Sequence, residues 1–149
     1  MAISTMKAEF QCEVEKIWDI VTSLEDYAWR SDLDKIVVVT PGKQFEEHTK
    51  EGYVTKFMIT TFEPYERYEF DMENSNMLGH WTGVFSVQGN TVSIEFTEDV
   101  TPKKIIMKPL VKAYLKKQQL QYISDLEKEL EKLANAHCKN RRDCESQAE

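Results

Sequence analysis

The first residues of the chain alternate between apolar and polar side chains. Over residues 3–12 this spacing of two predicts a β-strand with one buried face, formed by Met6, Ala8, Phe10 and Cys12. The period then lengthens, and a short amphipathic helix is predicted from the stripe Val14, Ile17, Trp18 and Val21. The polar segment 23–32 is expected to hold another short helical turn and a loop.

Six further strands are predicted between residues 33 and 99. Apolar and β-branched runs bounded by turn residues place them at 33–40, 45–49, 53–62, 65–73, 77–87 and 91–99. The separating turn signals are Pro41-Gly42, Lys50-Glu51-Gly52, Glu63-Pro64, Asn74-Ser75 and Gly89-Asn90. The strands at 65–73, 77–87 and 91–99 are predicted to follow the strand at 53–62 as an antiparallel meander.

Hairpin geometry predicts which residues face each other in this meander. A two-residue loop at Gly89-Asn90 pairs Val87 with Val92, Phe85 with Ile94, Gly83 with Phe96 and Trp81 with Glu98. A two-residue loop at Asn74-Ser75 pairs Met72 with Met77, Phe70 with Gly79 and Tyr68 with Trp81. An even-length turn at Pro64 adds Phe57 and Ile59 to the same face. All the large apolar side chains then share one face, which a slip of one residue would invert.

The other face of the predicted sheet is polar and is expected to meet water. It carries Arg67, Glu69, Asp71, Glu73, His80, Thr82, Glu95 and Thr97. A sheet with one wet face needs a cover on its apolar face. The chain supplies one remaining element with enough apolar surface, which is a long C-terminal helix.

This helix is predicted from Thr101-Pro102 to about Ala136, with Thr101 as its cap. Pro109 should kink or restart it, which leaves 103–108 as an opening turn. Its apolar stripe is predicted to be Leu110, Tyr114, Leu120, Ile123, Leu126, Leu130 and Leu133. We expect one domain over residues 1–136 and a polar, disordered tail over 137–149.

Composition and charge exclude several functions. The 149 residues carry a net charge of −7, which disfavours binding to nucleic acid, although Lys residues gather in the C-terminal helix. Neither a signal peptide nor an 18-residue apolar run is present, so a cytoplasmic protein without integral membrane association is expected. Three cysteines without disulfide-framework spacing agree with a reducing compartment. His137, Cys138 and Cys144 match no common zinc spacing, so no metal and no cofactor are expected.

The order of these elements resembles the START-like superfamily, also called the birch-pollen-allergen-like or polyketide cyclase/dehydrase-like (SRPBCC) group. The resemblance lies in residues 14–18 (VEKIW), 26–29 (DYAW) and 79–85 (GHWTGVF), and in the long final helix. It implies an α+β helix-grip fold, in which a curved antiparallel sheet wraps around the C-terminal helix. It also implies a deep cavity for a lipid, sterol, polyketide or other apolar ligand.

The predicted ligand-binding residues are mainly aromatic. They are Trp29, Tyr53, Phe57, Tyr68, Phe70, Trp81, Phe85, Glu98, Leu110 and Tyr114. Such a lining suits a flat or long apolar ligand, but a filled core needs the same residues. Gly79 and Gly83 lie on this inward face, where they would either leave room for a ligand or only allow the sheet to bend.

Three functions remain open from the sequence. The first is binding or transport of a hydrophobic small molecule by a monomer or homodimer. The second is a cyclase, dehydratase or isomerase, with Glu98 as a weak candidate acid because an aromatic wall would disfavour its charged form. Against this, Glu98 at a strand end would simply meet water. The third is a protein-interaction domain similar to chaperone-ATPase activators, contacting its partner through residues such as Arg67 and Glu69.

Overall fold

The computed structural model describes the backbone of residues 2–104 and 108–148, and the side chains of residues 2–104 and 110–134. The elements in these ranges are β1 (Ala2–Phe10), α1 (Val14–Thr22), β2 (Leu33–Thr40), β3 (Gln44–Thr49), β4 (Val54–Glu63), β5 (Arg67–Glu73), β6 (Met77–Gln88), β7 (Thr91–Pro102) and α2 (Lys108–Ala148). The strands confirm the predicted ones to within a few residues. The polar segment 23–32 forms turns, so the second short helical turn predicted there is wrong.

The seven strands of the described chain form one antiparallel sheet in the order β1-β7-β6-β5-β4-β3-β2. Strands β2 to β7 follow one another as a meander, and α1 carries the chain from β1 to the opposite edge. Helix α2 crosses the concave face and packs mainly against β1 and β7. The sheet is curved around this helix, which is the predicted helix-grip architecture.

The predicted pairing of β6 with β7 is confirmed. Val87 lies opposite Val92, and Trp81 lies opposite Glu98. The predicted pairing of β5 with β6 is wrong by two residues, since Phe70 faces Trp81. The cause is a turn displaced by one residue: the Asn74 backbone N–H donates to the Met77 carbonyl, and the Asn74 Oδ1 accepts hydrogen bonds from the backbone N–H groups of Asn76 and Met77. A shift of two keeps every side chain on its predicted face.

The turn after Pro64 differs from the predicted even-length loop. Glu63 pairs with Arg67, so the loop has three residues, and Tyr65 within it has a φ of 69°. A β-bulge between Ile59 and Thr61 adds one residue and restores the alternation. Phe57 and Ile59 therefore lie on the apolar face as predicted, but for a different reason.

Helix α2 begins later than predicted, and its first half turns a different side to the sheet. Of the predicted stripe, Ile123, Leu126 and Leu130 pack in the core as expected, whereas Leu110, Tyr114 and Leu120 are exposed. Thr101 and Pro102 continue β7 opposite Leu78 and Met77, so the predicted cap at Thr101 is wrong. The predicted opening turn at 103–108 falls partly on residues 105–107, which lie outside the described residues. The sheet-facing side chains of the helix are Val111, Leu115, Gln119 and Leu126. The assignment of a domain to 1–136 and a tail to 137–149 stays a prediction.

The convex face of the sheet carries the predicted polar residues, together with the exposed apolar side chains of Ile3, Met58 and Leu78. Its centre is His80, whose two ring nitrogens lie 2.8 Å from a Glu69 oxygen and 2.7 Å from an Asp71 oxygen. Burial lowers the pKa of His80, but hydrogen bonds to the two carboxylates outweigh it and the pKa is raised. The hydrogen bonds that Glu69 accepts, chiefly the one from His80, lower the pKa of Glu69 to about 2. Through these hydrogen bonds, charged side chains link β5 to β6 on the convex face.

Candidate ligand-binding cavity

Aromatic rings fill much of the space between the sheet and α2. Phe45 stacks on Phe57 with ring centres 4.8 Å apart, and Phe70 stacks on Trp81 at 4.9 Å. At the α1 end, Trp18 meets Phe62, Tyr65, Tyr68 and Phe85 edge-on. This part of the molecule is a packed core.

Gly83 has a specific role in this packing. A Cβ atom at Gly83 would lie 2.5 Å from an indole carbon of Trp81, two residues earlier on the same strand. The room left by this glycine is therefore occupied by the Trp81 ring. A Cβ at Gly79 would meet its nearest atoms at 3.3 Å, a milder contact.

A cavity of about 80 Å³ remains beyond these rings, between β6, β7, α2 and the segment that precedes β2. Its floor is formed by Trp81, Phe96 and Tyr122, and its polar side chains are Arg30, Asp32, Glu98, Gln118, Gln119 and Gln121. Gln121 is exposed and Gln118 is half-buried, so solvent reaches the cavity along α2. The lining combines an apolar floor with several hydrogen-bonding groups.

Glu98 is the carboxyl group that faces this space from β7. Burial raises its pKa to about 7, because the repulsion from Glu47 adds to desolvation and the attraction of Arg30 only partly opposes them. It forms no ion pair within the described residues. Glu98 lies within β7, four residues before the end of the strand, and its side chain is half-buried.

Arg30 forms the charged wall of the cavity. It binds Asp32 through two hydrogen bonds of 3.1 Å and Glu47 at 3.3 Å, and the Arg30 and Glu47 side chains are only 17% and 16% exposed. Its guanidinium also lies over the rings of Tyr122 at 5.2 Å and Trp29 at 5.8 Å. Burial would lower the pKa of Arg30, but the two carboxylates raise it above its usual range, so Arg30 is permanently charged.

Two groups of hydrogen bonds, one buried and one partly buried, hold α2 over the cavity. Gln119 accepts a hydrogen bond from the Ser4 hydroxyl at 2.8 Å and donates one to the Ser4 carbonyl at 3.0 Å, which ties α2 to β1. Asp125 accepts hydrogen bonds from the Ser31 N–H at 3.0 Å and the Ser31 hydroxyl at 2.9 Å. It also accepts one from Gln121 at 2.9 Å. Polar side chains thus fix the helix to β1 on one side and to the segment before β2 on the other, with a geometry more specific than apolar contact.

The ten predicted ligand-binding residues separate into three groups. Trp81 and Glu98 line the cavity, and Trp29 is half-buried against Tyr122 at its edge, 5.4 Å between ring centres. The core beside the cavity holds Phe57, Tyr68, Phe70 and Phe85, whose inward orientation is confirmed. The inward orientation is wrong for Leu110, Tyr53 and Tyr114, which are 71%, 59% and 59% exposed.

The helix residues of the cavity were not predicted because their polarity hides the buried stripe. Val111, Leu115, Gln119, Tyr122 and Leu126 follow the spacing of a sheet-facing helix surface, and of these five the sequence predicted Leu126 alone. Gln119 in the middle of that stripe, only 2% exposed, makes it look interrupted, whereas the Leu110 and Leu120 series looks continuous. A glutamine at a core position was the signal available in the sequence. The sequence signal for Arg30 was weaker: it is a cation next to Trp29.

Fold and cavity together define a helix-grip protein of the START-like class. The chain belongs to the family described as "Polyketide cyclase / dehydrase and lipid transport", whose model matches residues 1–137. Among curated proteins, no sequence matches this chain. Within the described ranges, no helix is both long and apolar enough to cross a bilayer.

Solved structures support the same fold. A START superfamily protein from Mycobacterium smegmatis has a TM-score of 0.80 at 14% identity, over 88% of this chain and 98% of that one. A conserved protein from Geobacillus kaustophilus has a TM-score of 0.74 at 11% identity, over 88% and 96%. The Aha1 dimer from Colwellia psychrerythraea has a TM-score of 0.64 at 14% identity, over 85% and 97%. At these identities the likeness establishes the fold alone.

Proposed function

We propose that the protein binds a small aromatic or otherwise apolar molecule with one hydrogen-bonding group in the cavity beside Glu98. The observation that carries the proposal is the pairing of an aromatic floor with a carboxyl group that has no ion-pair partner in the described part of the chain. Burial against Trp81, Phe96 and Tyr122 would supply affinity. The Glu98 carboxyl would fix the orientation of the ligand.

The size of the cavity bears on the ligand. Pockets that enclose drug-sized molecules measure about 300–1,000 Å³, whereas this cavity measures about 80 Å³. It suits a single small ring, or the polar end of a longer molecule such as a lipid or polyketide. The remainder of a longer ligand would leave past Gln118 and Gln121, where the cavity meets solvent.

Native mass spectrometry of the freshly purified protein tests this proposal. The blocking variant is Gln118→Trp, which would fill the mouth of the cavity, and the matched control is Lys128→Trp on the exposed side of the same helix. We expect a retained small molecule in the wild type and in the control, and none in the blocking variant. A ligand-free wild type, or equal retention by all three proteins, would refute the proposal.

A second candidate function is proton transfer on the bound molecule, as in a cyclase, dehydratase or isomerase. The specific observation in its favour is the pKa of Glu98, raised to about 7, which suits a carboxyl group that both donates and accepts a proton near neutral pH. In this case Glu98→Gln would bind the ligand and return it unaltered, whereas the wild type would release a product. Identical molecules released by both proteins would exclude this candidate.

We also infer a cytoplasmic location and a monomeric or homodimeric state. The Cys12 thiol is free, and its pKa is raised by burial, so it would persist as an inert thiol in a reducing compartment. Light scattering with size-exclusion chromatography would measure the mass in solution. A mass above that of a dimer would contradict the inference.

A further inference from the structure

The charged groups in and around the cavity are mostly acidic. Its lining contains Arg30 and Asp32 from the segment that precedes β2, and Glu98 from β7. A third carboxyl group, that of Glu47 on β3, binds the Arg30 guanidinium at 3.3 Å. Among the described residues, one positive group therefore lies beside three carboxyl groups. The site is neutral when Glu47 and Glu98 are both protonated, and it is negative when either of them ionises.

Arg30 has little capacity left for a ligand anion. Its Nε and Nη2 atoms donate to the two Asp32 oxygens at 3.1 Å each, and Nη2 also lies 3.3 Å from Glu47 Oε1. The guanidinium charge is thus already balanced by two carboxyl groups. A carboxylate or phosphate ligand would bring a further negative charge to a lining that has no other basic side chain in the described ranges. An anionic ligand is therefore disfavoured.

The titratable groups that α2 presents to Glu98 do not reverse this balance. Burial raises the pKa of the Tyr122 hydroxyl above its usual range, so this hydroxyl stays neutral. Burial also raises the pKa of the Tyr114 hydroxyl on the same helix. The negative charges of Asp32, Glu51 and Glu98 raise this second pKa further. The field of these carboxylates therefore extends from the cavity to the helix.

The acceptor atoms of the cavity match an ammonium group. Glu98 forms no ion pair within the described ranges, and its neighbours on the adjacent strands are the uncharged Ser4 and Trp81. The Asp125 carboxylate can only accept hydrogen bonds, so the Gln121 amide nitrogen faces it at 2.9 Å and the Gln121 carbonyl oxygen is left to accept. An ammonium group has three N–H donors and no acceptor. It can therefore bind a carboxylate and an amide oxygen together.

We propose that the ligand held beside Glu98 is a single aromatic ring that bears a protonated amine, with the ammonium group at the Glu98 carboxylate. The ring would pack on the floor formed by Trp81, Phe96 and Tyr122, where burial supplies affinity that a bare cation lacks. A single ring agrees with a cavity of about 80 Å³. This inference rests on the proposed function and narrows it from any molecule with a hydrogen-bonding group to a cationic one.

Ionisation of Glu98 links this binding to pH. Burial raises the pKa of Glu98 to about 7, so the carboxyl group is mostly protonated at pH 5.5 and mostly ionised at pH 8. An ammonium group offers donors alone, so it binds the ionised form and must displace the Glu98 proton at pH 5.5. The affinity for an amine should therefore be about tenfold higher at pH 8 than at pH 5.5. A neutral hydroxyl, which both donates and accepts, has no such requirement.

The affinities of three ligands of similar size test the inference. The probes are benzylamine, benzyl alcohol and benzoate, titrated by NMR into the full chain in phosphate buffer, which contains no competing amine. At pH 8 we expect benzylamine to bind at least about tenfold more tightly than benzyl alcohol, and benzoate to bind more weakly than both. Benzyl alcohol binding as tightly as benzylamine, or benzoate binding most tightly, would overturn the inference and leave the proposed function intact. No binding by any of the three would contradict both.

Two glutamates of β7 separate the Glu98 carboxyl group from general charge. Glu98→Gln should weaken benzylamine binding about tenfold at pH 8 and remove the difference between pH 5.5 and pH 8. The matched control is Glu95→Gln, the same charge change at an exposed position, which should alter the affinity by less than about twofold. Benzylamine binding that is unchanged in Glu98→Gln, or that falls equally in both variants, would overturn the inference. An amine affinity of the wild type that does not rise between pH 5.5 and pH 8 would overturn it without any substitution.

Discussion

Replacing Glu98 with Gln should make folding stability less sensitive to pH. Burial raises the pKa of Glu98 from its ordinary 4.5 to about 7, so the folded protein holds this proton more tightly than the unfolded chain. Stability then falls as pH rises from about 4.5 to about 7 and is level above that range. At about 1.4 kcal/mol for each pKa unit, the shift amounts to roughly 3 kcal/mol.

Glutamine keeps the shape of the side chain and removes its charge. Between pH 5 and pH 8 the variant should gain about 2–3 kcal/mol relative to the wild type, as the wild type increasingly carries a buried carboxylate near Glu47. For a chain of this size that corresponds to a rise in melting temperature of about 5–10 °C at pH 8. Urea unfolding at both pH values measures the difference directly.

The control is Glu95→Gln, which alters an exposed carboxyl group on the same strand. Its effect should be small and similar at both pH values. Taking the difference between variant and wild type removes the titration of other groups such as His80. If Glu98→Gln changes stability equally at pH 5 and pH 8, the claim that this carboxyl group is desolvated in the cavity is wrong.

Three further predictions concern the structure around the cavity. Gly83→Ala should lower the free energy of unfolding by about 1–3 kcal/mol and disturb Trp81 fluorescence, because the new Cβ would overlap the indole. Gly79→Ala should lower it less. Urea unfolding compares the two variants, and equal losses would contradict this reasoning. Asp125→Ala should cost about 1–3 kcal/mol by leaving the Ser31 N–H without its partner, and hydrogen exchange should quicken at that amide rather than stay unchanged. His80→Gln should lower stability by less than about 1 kcal/mol at pH 5.5, where wild-type His80 is charged. The difference between variant and wild type should vanish as pH rises through the raised pKa of His80. A loss of stability that grows with pH would contradict this prediction.

The sequence predicts the sheet better than it predicts the helix. Alternation identifies the apolar face of each strand. The predicted face was correct although the pairing was wrong by two residues at Asn74 and the loop at Pro64 has an odd length. A side chain keeps its face when the pairing shifts by an even number of residues. At Pro64 the odd loop is compensated by the one-residue bulge near Ile59. The exact hairpin pairing depended on a side-chain hydrogen bond at Asn74 that periodicity does not report.

The cavity was only half predictable for a related reason. Trp81 and Glu98 follow from strand register, since each occupies an inward position. Gln119, Tyr122 and Arg30 are polar or amphipathic, and their burial is compensated by partners far away in sequence, such as Ser4 and Glu47. Pattern analysis assigns such residues to the surface. The same bias placed Leu110 and Tyr114 inside the fold, although both are exposed.

The indole N–H signals of the protein test the central claim most directly. The chain has three tryptophans, of which Trp81 lines the cavity and Trp18 lies in the packed core among Phe62, Tyr65, Tyr68 and Phe85. During titration with phenol and with p-cresol, each a single aromatic ring that bears one hydroxyl, we predict a saturable shift of the Trp81 signal, a fixed Trp18 signal, and no shift at Trp81 in the Gln118→Trp variant. A Trp81 signal that stays fixed with both probes, or that moves together with Trp18, would contradict the account.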